Sequence, residues 1–451
     1  MSRQLLQCCL LSTKNIIHRH SSLFFKNTFQ SNGLSLIRKK STDSQGYLKK
    51  CERSFNLYSN KKLVCIRNKN LSSAREFHTS TRRQIPPIFW VVLKPLAKFG
   101  AAVTGRTVRI WFKRLDPQRK KDILAKLKQK WYIPAGIVFV TALAGTYYYI
   151  SHLEETPITG RKRFITFTHE QIAKISEAEA EMLIQLYKDK YYALNDPQTQ
   201  RVLQVARRLL KANPELRQMQ FDEWKIFVIK DPLVNACVLP SGHMFVFDGI
   251  LQLANTQDQL AVILGHEMAH AVLGHGIEEL SYSGAVDILI IFCLAVIWFF
   301  IPLDSFAVLT HWLYNRVIQL MMHMPHSRKI ESEADRVGLM FAAKACYDVR
   351  DGTVLWKKMS FNEKLTQEGS TPEWMQTHPD SLKRAEHIDF LLPKAETWRN
   401  QMKCPKLPAN DPRASIPILS QFINDQMLAT KTGQDLRKVP LQPHVVVLKK
   451  S

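Results

Sequence analysis

Two histidines and a glutamate in the stretch 264–270 have the residue types and spacing of a hydrolytic metal site. His266 and His270 are four positions apart, so on a helix their imidazoles project from one face and can bind a single metal ion. Glu267 would lie beside them and could take a proton from a water molecule whose pKa zinc lowers to roughly 7. Apolar residues flank the motif on both sides, which predicts a buried helix. The pattern therefore predicts a zinc site with Glu267 as general base.

A catalytic zinc site needs a third protein ligand and an open fourth position. The acidic segment 327–335 offers the next candidate in a helical context. Glu331 can bind the metal, and Asp335, one turn further on the same face, can orient a zinc-binding imidazole. Glu333 is expected to point elsewhere, into solvent. We therefore predict one Zn²⁺ per chain, with Glu331 as the third ligand and Asp335 beside it.

His275 is a weaker candidate for the metal. The alternative spacing with a third histidine would need Gly at position 273 and His at position 276, whereas this chain has Leu273 and Gly276. His275 is one residue short of that pattern. We predict a structural role for it at a helix end.

These motifs are similar to those of the gluzincin zinc peptidases, a family that includes the CAAX prenyl endopeptidases. In that family His-Glu-x-x-His is followed by Glu-x-x-Ala-Asp, and both motifs stand here, at 266–270 and 331–335. Residues 235–242 resemble the family's Asn-Ala-x-x-Leu-Pro-Gly-Gly turn and depart from it only at Ser241. His378-Pro379 and Arg384 match its His-Pro-x-x-x-x-Arg element. The resemblance covers about residues 200 to 390.

The resemblance implies a membrane-anchored α+β peptidase, mainly helical with a small β-sheet. It implies that His378 is catalytic and faces the oxyanion of the reaction, with Arg384 behind it; a histidine that only caps a turn is the alternative. It further implies that His243, Met244 and Phe245 belong to an edge strand that holds the substrate backbone. An ordinary hairpin that covers the active helix is the alternative for this strand.

The resemblance also implies a function in membrane-protein quality control. The expected activity is zinc-dependent cleavage of inner-membrane protein substrates under stress, including a dynamin-like fusion GTPase. A catalytically silent, membrane-tethered scaffold of the same fold is the competing hypothesis, and the complete set of ligands with an intact Glu267 argues against it. A homo-oligomer is left open.

The net positive charge comes entirely from the first 130 residues. Residues 1–84 contain 17 Lys+Arg and 3 Asp+Glu, residues 85–130 contain 12 and 2, and the remaining chain contains 34 of each. The part that carries the motifs is therefore neutral overall, so the basic composition does not indicate nucleic-acid binding. A Ser-rich, basic start that is poor in acidic residues predicts a mitochondrial transit peptide over 1–84.

Two further segments predict contact with a lipid bilayer. Residues 131–150 form an uncharged stretch of twenty residues with aromatic residues at both ends, which predicts a single transmembrane helix. The basic segment 85–130 before it would face the matrix, either lying on the membrane surface or only setting the orientation. The peptidase domain, 151–403, would then face the intermembrane space of the mitochondrion inner membrane.

An apolar insertion over 288–322 separates the two metal-binding motifs. A single crossing there would place His266 and Glu331 on opposite sides of the membrane, so the segment is expected to return as a hairpin or to pack beside the bilayer. A soluble buried helix is the alternative. Residues 404–451 form a C-terminal extension that contains several prolines, to which no role is assigned.

Cys346 and Cys404 are the two cysteines after the predicted transit peptide that could form a disulfide. The intermembrane space permits oxidation of thiols. Such a bond would tie the extension to the helix that carries Glu331. Two unrelated free thiols are the alternative, because sequence does not give connectivity.

Overall fold

The structure, a computed structural model, describes residues 64–67, 87–217, 223–301, 308–312, 324–366, 378, 380–421 and 424. Within these residues the chain is mainly helical with a small sheet, as predicted. The predicted transit peptide 1–84 lies outside the described residues, apart from one short strand. Most of the extension after residue 421 also lies outside them.

The described chain contains eleven main helices and six strands. The helices are α1 (Pro87–Arg114), α2 (Pro117–Gln129), α3 (Tyr132–Ser151), α4 (His169–Leu186), α5 (Pro197–Ala212), α6 (Asp248–Leu253), α7 (Gln257–Leu273), α8 (His275–Phe300), α9 (Met324–Lys344), α10 (Asp351–Thr366) and α11 (Ser381–Gln401). The strands are β1 (Val64–Arg67), β2 (Leu153–Glu155), β3 (Lys162–Phe164), β4 (Glu223–Ile229), β5 (Ala236–Val238) and β6 (His243–Phe247).

Local sequence signals set the start of several helices. Thr168 and Gln171 form a capping box at the start of α4, in which each side chain bonds the backbone N–H of the other residue. Asp196 caps α5, and Pro197 occupies its first turn. Thr256 accepts a bond from the Gln259 backbone N–H at the start of the metal-motif helix α7.

The four-stranded sheet has the order β1-β4-β6-β5. Strand β6 runs parallel to β4 and antiparallel to β5. Strand β1 pairs antiparallel with β4 and belongs to the segment predicted to be removed as a transit peptide. Without that segment the sheet of described strands would end at β4 on one side and at β5 on the other.

Helix α7 is the buried centre of the domain. Its residues from Gln259 to Leu273 are all buried, and it is packed by α9 on one side and by α5, α10 and β5 around it. It ends at Gly274, which has a left-handed backbone with φ 64°, a conformation that favours glycine. Helix α8 starts at the next residue, so the chain turns sharply at the end of the metal motif.

Helix α8 contains the first part of the predicted apolar insertion, 288–300, within one helix of 26 residues. Most of the remaining insertion, 302–307 and 313–322, lies outside the described residues. Helix α1 packs along α8, and both Lys94 and Lys98 form ion pairs of 2.7 Å with Asp287. The Arg109 guanidinium donates to the carbonyl of Ile301 further along. The sequence did not predict this pairing, because a basic helix on a membrane surface and a helix packed against a distant segment share the same amphipathic pattern.

Candidate metal centre

Four buried side chains meet in one cluster: His266, His270, Glu331 and His378. Each offers one nitrogen or oxygen atom, and these atoms all lie within 4.8 Å of one another. The Nε2 atoms of His266 and His270 are 3.0 Å apart, and they lie 3.4 Å and 3.6 Å from the two carboxylate oxygens of Glu331. Imidazole nitrogens with a carboxylate are a donor set that zinc prefers. The residues present therefore fit a zinc ion.

The two elements that carry the ligands are brought together by a backbone contact. Helix α7 supplies both histidines, and α9 supplies Glu331. At their crossing Gly265 faces Gly338, and a Cβ atom on Gly338 would lie 2.6 Å from the His266 backbone nitrogen. Only glycine permits this approach.

Glu267 lies beside the ligands as a buried carboxylate. Its Oε1 atom has no hydrogen-bond partner among the described residues, and its nearest ionic neighbour is Nε2 of His378 at 3.6 Å. Burial raises the pKa of Glu267. A carboxylate that has one unsatisfied oxygen and lies next to the metal-binding side chains is suited to bind and deprotonate water.

Asp335 and Arg384 contact the cluster from behind. Asp335 Oδ1 lies 3.1 Å from Nδ1 of His266, which is the contact that orients a zinc-binding imidazole. Arg384 donates to both oxygens of Asp335 at 2.9 Å and 2.6 Å, and its guanidinium stacks on Trp356 at 3.6 Å. Its Nη1 atom is 3.1 Å from Glu331. Arg384 therefore forms ion pairs with two buried carboxylates.

His378 is placed inside the cluster and not at its edge. Its Nδ1 atom is 3.0 Å from Glu331, and its ring lies 5.2 Å from the ring of His266. The sequence element that carries it precedes α11, whose Arg384 reaches the same site. The structure thus brings together His266, Glu267, His270, Glu331, Asp335, His378 and Arg384, all of which the sequence pattern had singled out.

His275 and Glu333 form a second contact behind the ligands that sequence reasoning missed. His275 Nδ1 lies 2.9 Å from His270 Nδ1, and its Nε2 lies 3.2 Å from Glu333. The prediction that Glu333 points into solvent is wrong, since only 8% of its side chain is exposed. The hairpin β2–β3 folds over this side and brings Arg161 to 2.6 Å from Glu333. Burial alone would raise the pKa of Glu333, but hydrogen bonds from His275, Thr159 and Arg161 lower it to about 2.

The prediction that His243, Met244 and Phe245 lie on an edge strand is also wrong. Strand β6 is paired on both sides, by β4 and β5, because residues 239–242 turn the chain back and the short strand β5 covers the expected edge. The His243 side chain is buried, 2.8 Å from Ser241 Oγ. The outer strand on this side is β5, which packs against α7.

A disulfide joins Cys346 and Cys404, whose Cα atoms are 5.3 Å apart. It follows the C-terminal end of α9 and ties the start of the extension to it. Arg350 then donates to the Pro408 carbonyl at 3.0 Å, and Arg413 to Asp389 at 2.9 Å. The described part of the extension is thereby held against the domain.

A buried helix with His-Glu-x-x-His, crossed by a helix that supplies a glutamate ligand, defines a zinc metallopeptidase of the gluzincin type. The sequence model of peptidase family M48 matches residues 196–391. This range includes all four side chains of the candidate metal site. The chain belongs to peptidase family M48 and is a zinc-dependent metalloendopeptidase.

Among its relatives are proteins named mitochondrial metalloendopeptidase OMA1. The protein from Danio rerio is 39% identical over 366 residues, which span 78% of this chain and 76% of the relative. The protein from Homo sapiens is 37% identical over 370 residues, spanning 81% and 70%. The protein from Schizosaccharomyces pombe is 34% identical over 260 residues, spanning 58% and 72%.

Proposed function

We propose that this chain is an endopeptidase anchored in the inner mitochondrial membrane that cleaves proteins of that membrane during quality control and stress, including a dynamin-like fusion GTPase. The observation that carries the proposal is the buried cluster of His266, His270 and Glu331 with Glu267 beside it. The mitochondrial relatives and the apolar helices beside the domain support the location.

Each residue at the site has a different role in the proposed peptide hydrolysis. His266, His270 and Glu331 would hold zinc, which as a Lewis acid activates water and polarises a carbonyl. Glu267 accepts the proton of the attacking water and later donates it to the leaving amine. His378, 3.6 Å from Glu267, is placed to donate a hydrogen bond to the oxygen of the carbonyl under attack. Asp335 and Arg384 keep His266 and Glu331 oriented.

Strand β5 is the best-placed element to bind an extended substrate. It is the outer strand of the sheet on the side that packs against α7. A peptide could add to its outer edge through backbone hydrogen bonds, as peptides do on exposed sheet edges. This assigns to residues 236–238 the role that the resemblance suggested for β6.

Two apolar helices support the proposed membrane attachment, and α3 is the one proposed to cross the bilayer. Helices α3 and α8 are each long and apolar enough to cross a bilayer. Tyr149 at the end of α3 stacks on Phe164, and nearby Thr166 donates to Ser281 of α8, so both helices leave the domain beside β3. Basic residues of α2 precede the start of α3, which supports a matrix location for that end and an intermembrane-space location for the peptidase domain.

A catalytically silent scaffold is the competing function, and one experiment separates the two. Full-length protein is purified in detergent, its zinc content is measured, and cleavage of a reconstituted inner-membrane protein is compared with that by Glu267→Gln. We expect both proteins to contain one zinc per chain, and only the wild type to cleave, because the substitution removes the base and no ligand. Zinc binding without cleavage by the wild type would favour the scaffold, whereas equal cleavage by both would refute the role of Glu267.

A further inference from the structure

The zinc-binding histidine His270 is backed by a second histidine and not by a carboxylate. His266 has Asp335 at its Nδ1 atom, whereas the Nδ1 atom of His270 faces Nδ1 of His275 at 2.9 Å. His275 is 1% exposed and its other nitrogen lies 3.2 Å from Glu333. A hydrogen-bonded row therefore leads from His270 through His275 to Glu333.

The chemistry of this row determines which nitrogen of His270 carries a proton. An ionised carboxylate only accepts hydrogen bonds, so His275 must donate to Glu333 through Nε2–H. In neutral His275 the Nδ1 atom then has a lone pair, and it accepts from Nδ1–H of His270. This leaves Nε2 of His270 unprotonated, and Nε2 is the atom that faces His266 and Glu331. The opposite tautomer of His270 would point a proton at the metal.

The row is anchored by a residue from outside the metal motifs. Arg161, in the turn between β2 and β3, donates from Nε to Glu333 at 2.6 Å and from Nη1 and Nη2 to Glu278 at 2.7 Å and 2.6 Å. One guanidinium thus faces two carboxylates, both nearly buried. The hairpin β2–β3 follows α3 directly, so this anchor lies next to the helix proposed to cross the membrane.

We propose that His275 and Glu333 are positioning residues for the zinc site: they fix the tautomer and orientation of His270, and Arg161 holds them from the hairpin next to α3. The proposal rests on the zinc peptidase function proposed above.

The test compares zinc affinity among variants of the full-length protein, measured by competition with a chelator at fixed pH. His275→Leu removes the acceptor and should weaken zinc binding by about 10- to 100-fold, the usual loss when a residue behind a ligand is removed. His275→Asn places an amide oxygen near the former Nδ1 position, so it should restore most of that affinity. If His275 acted by packing alone, His275→Leu would retain more zinc affinity than His275→Asn.

Two further variants and a control keep the outcome interpretable. Glu333→Ala should weaken zinc binding in the same direction, and it provides the test if His275→Leu does not fold, as judged by circular dichroism and thermal unfolding. His169→Leu, at an exposed histidine on α4, should bind zinc like the wild type. Wild-type affinity in folded His275→Leu and Glu333→Ala would overturn the proposal, whereas a wild type that binds no zinc would instead refute the proposed function.

Discussion

Gly265 and Gly338 touch backbone to backbone where the two metal-binding helices cross. A Cβ atom on Gly265 would lie 2.7 Å from the Gly338 carbonyl oxygen, and one on Gly338 would lie 2.7 Å from the Cα of His266. Both glycines lie outside the motifs 266–270 and 331–335. Their contact nevertheless sets the distance between the histidines on α7 and the glutamate on α9. The metal site thus depends on two positions that supply no ligand.

Gly338→Ala should damage the metal site. The added methyl group would push α9 away from α7, which should lower the free energy of unfolding by about 1 to 3 kcal/mol or more and weaken zinc binding. Thermal unfolding and chelator competition measure the two effects. Gly284→Ala on α8 is the matched control, because its Cβ would meet no atom within 4 Å; equal behaviour of the two variants would refute this account of the crossing.

Glu331→Ala should abolish tight zinc binding, because it removes the only carboxylate of the four-residue cluster. Glu333→Ala should retain zinc at millimolar excess but lose affinity, since Glu333 acts only through His275. Zinc titration of the apoprotein distinguishes the two. If both variants bound zinc with wild-type affinity, a ligand other than Glu331 would hold the metal.

Arg384→Leu should lower the free energy of unfolding, independently of any effect on catalysis. It would leave Asp335 and Glu331 as buried carboxylates without their guanidinium partner, a change that typically costs about 3 to 5 kcal/mol. Denaturant unfolding of the metal-free protein measures it. Arg336→Leu, at an exposed position of α9, should change stability by less than about 0.5 kcal/mol; a similarly small change in Arg384→Leu would contradict the role given to this arginine.

The bond between Cys346 and Cys404 should be recovered as a linked peptide pair by non-reducing mass mapping. The two positions are 58 residues apart, so the bond should stabilise the folded state by roughly 4 kcal/mol through the entropy of the unfolded chain. Reduction, or Cys404→Ser, should lower the unfolding temperature accordingly. Recovery of both cysteines only as alkylated free thiols would show that the bond does not form in the protein.

Protease added to mitochondria without an outer membrane should digest the domain that follows Ser151 and spare residues 85–130. Helix α3 would hold the domain at the outer face of the inner membrane, and α2, which precedes α3, would lie on the matrix side. Immunoblots with tags in either region measure the result, and detergent should abolish the protection of 85–130. Protection of the peptidase domain before detergent is added would invert the proposed topology.

The chemical identity of the site follows from short stretches of sequence. Spacing of four positions on a helix places His266 and His270 side by side, and the same rule puts Asp335 one turn from Glu331. Caps such as Thr168 with Gln171 and Asp196 with Pro197 mark helix starts, because they satisfy backbone groups within a few residues of themselves. These features depend on local geometry, so the sequence alone determined them.

Other features depend on which distant segments meet, and only the tertiary structure decided them. Strand β6 is not an edge strand, because β5 pairs with it. The side chain of Glu333 is nearly buried and not solvent-exposed, because the hairpin that carries Arg161 folds over α9. Helix α1 packs on α8 through Lys94, Lys98 and Asp287, where its amphipathic pattern alone fits a membrane surface equally well. A local pattern states which face of an element is apolar or charged, but the partner of that face is set by the packing of the whole chain.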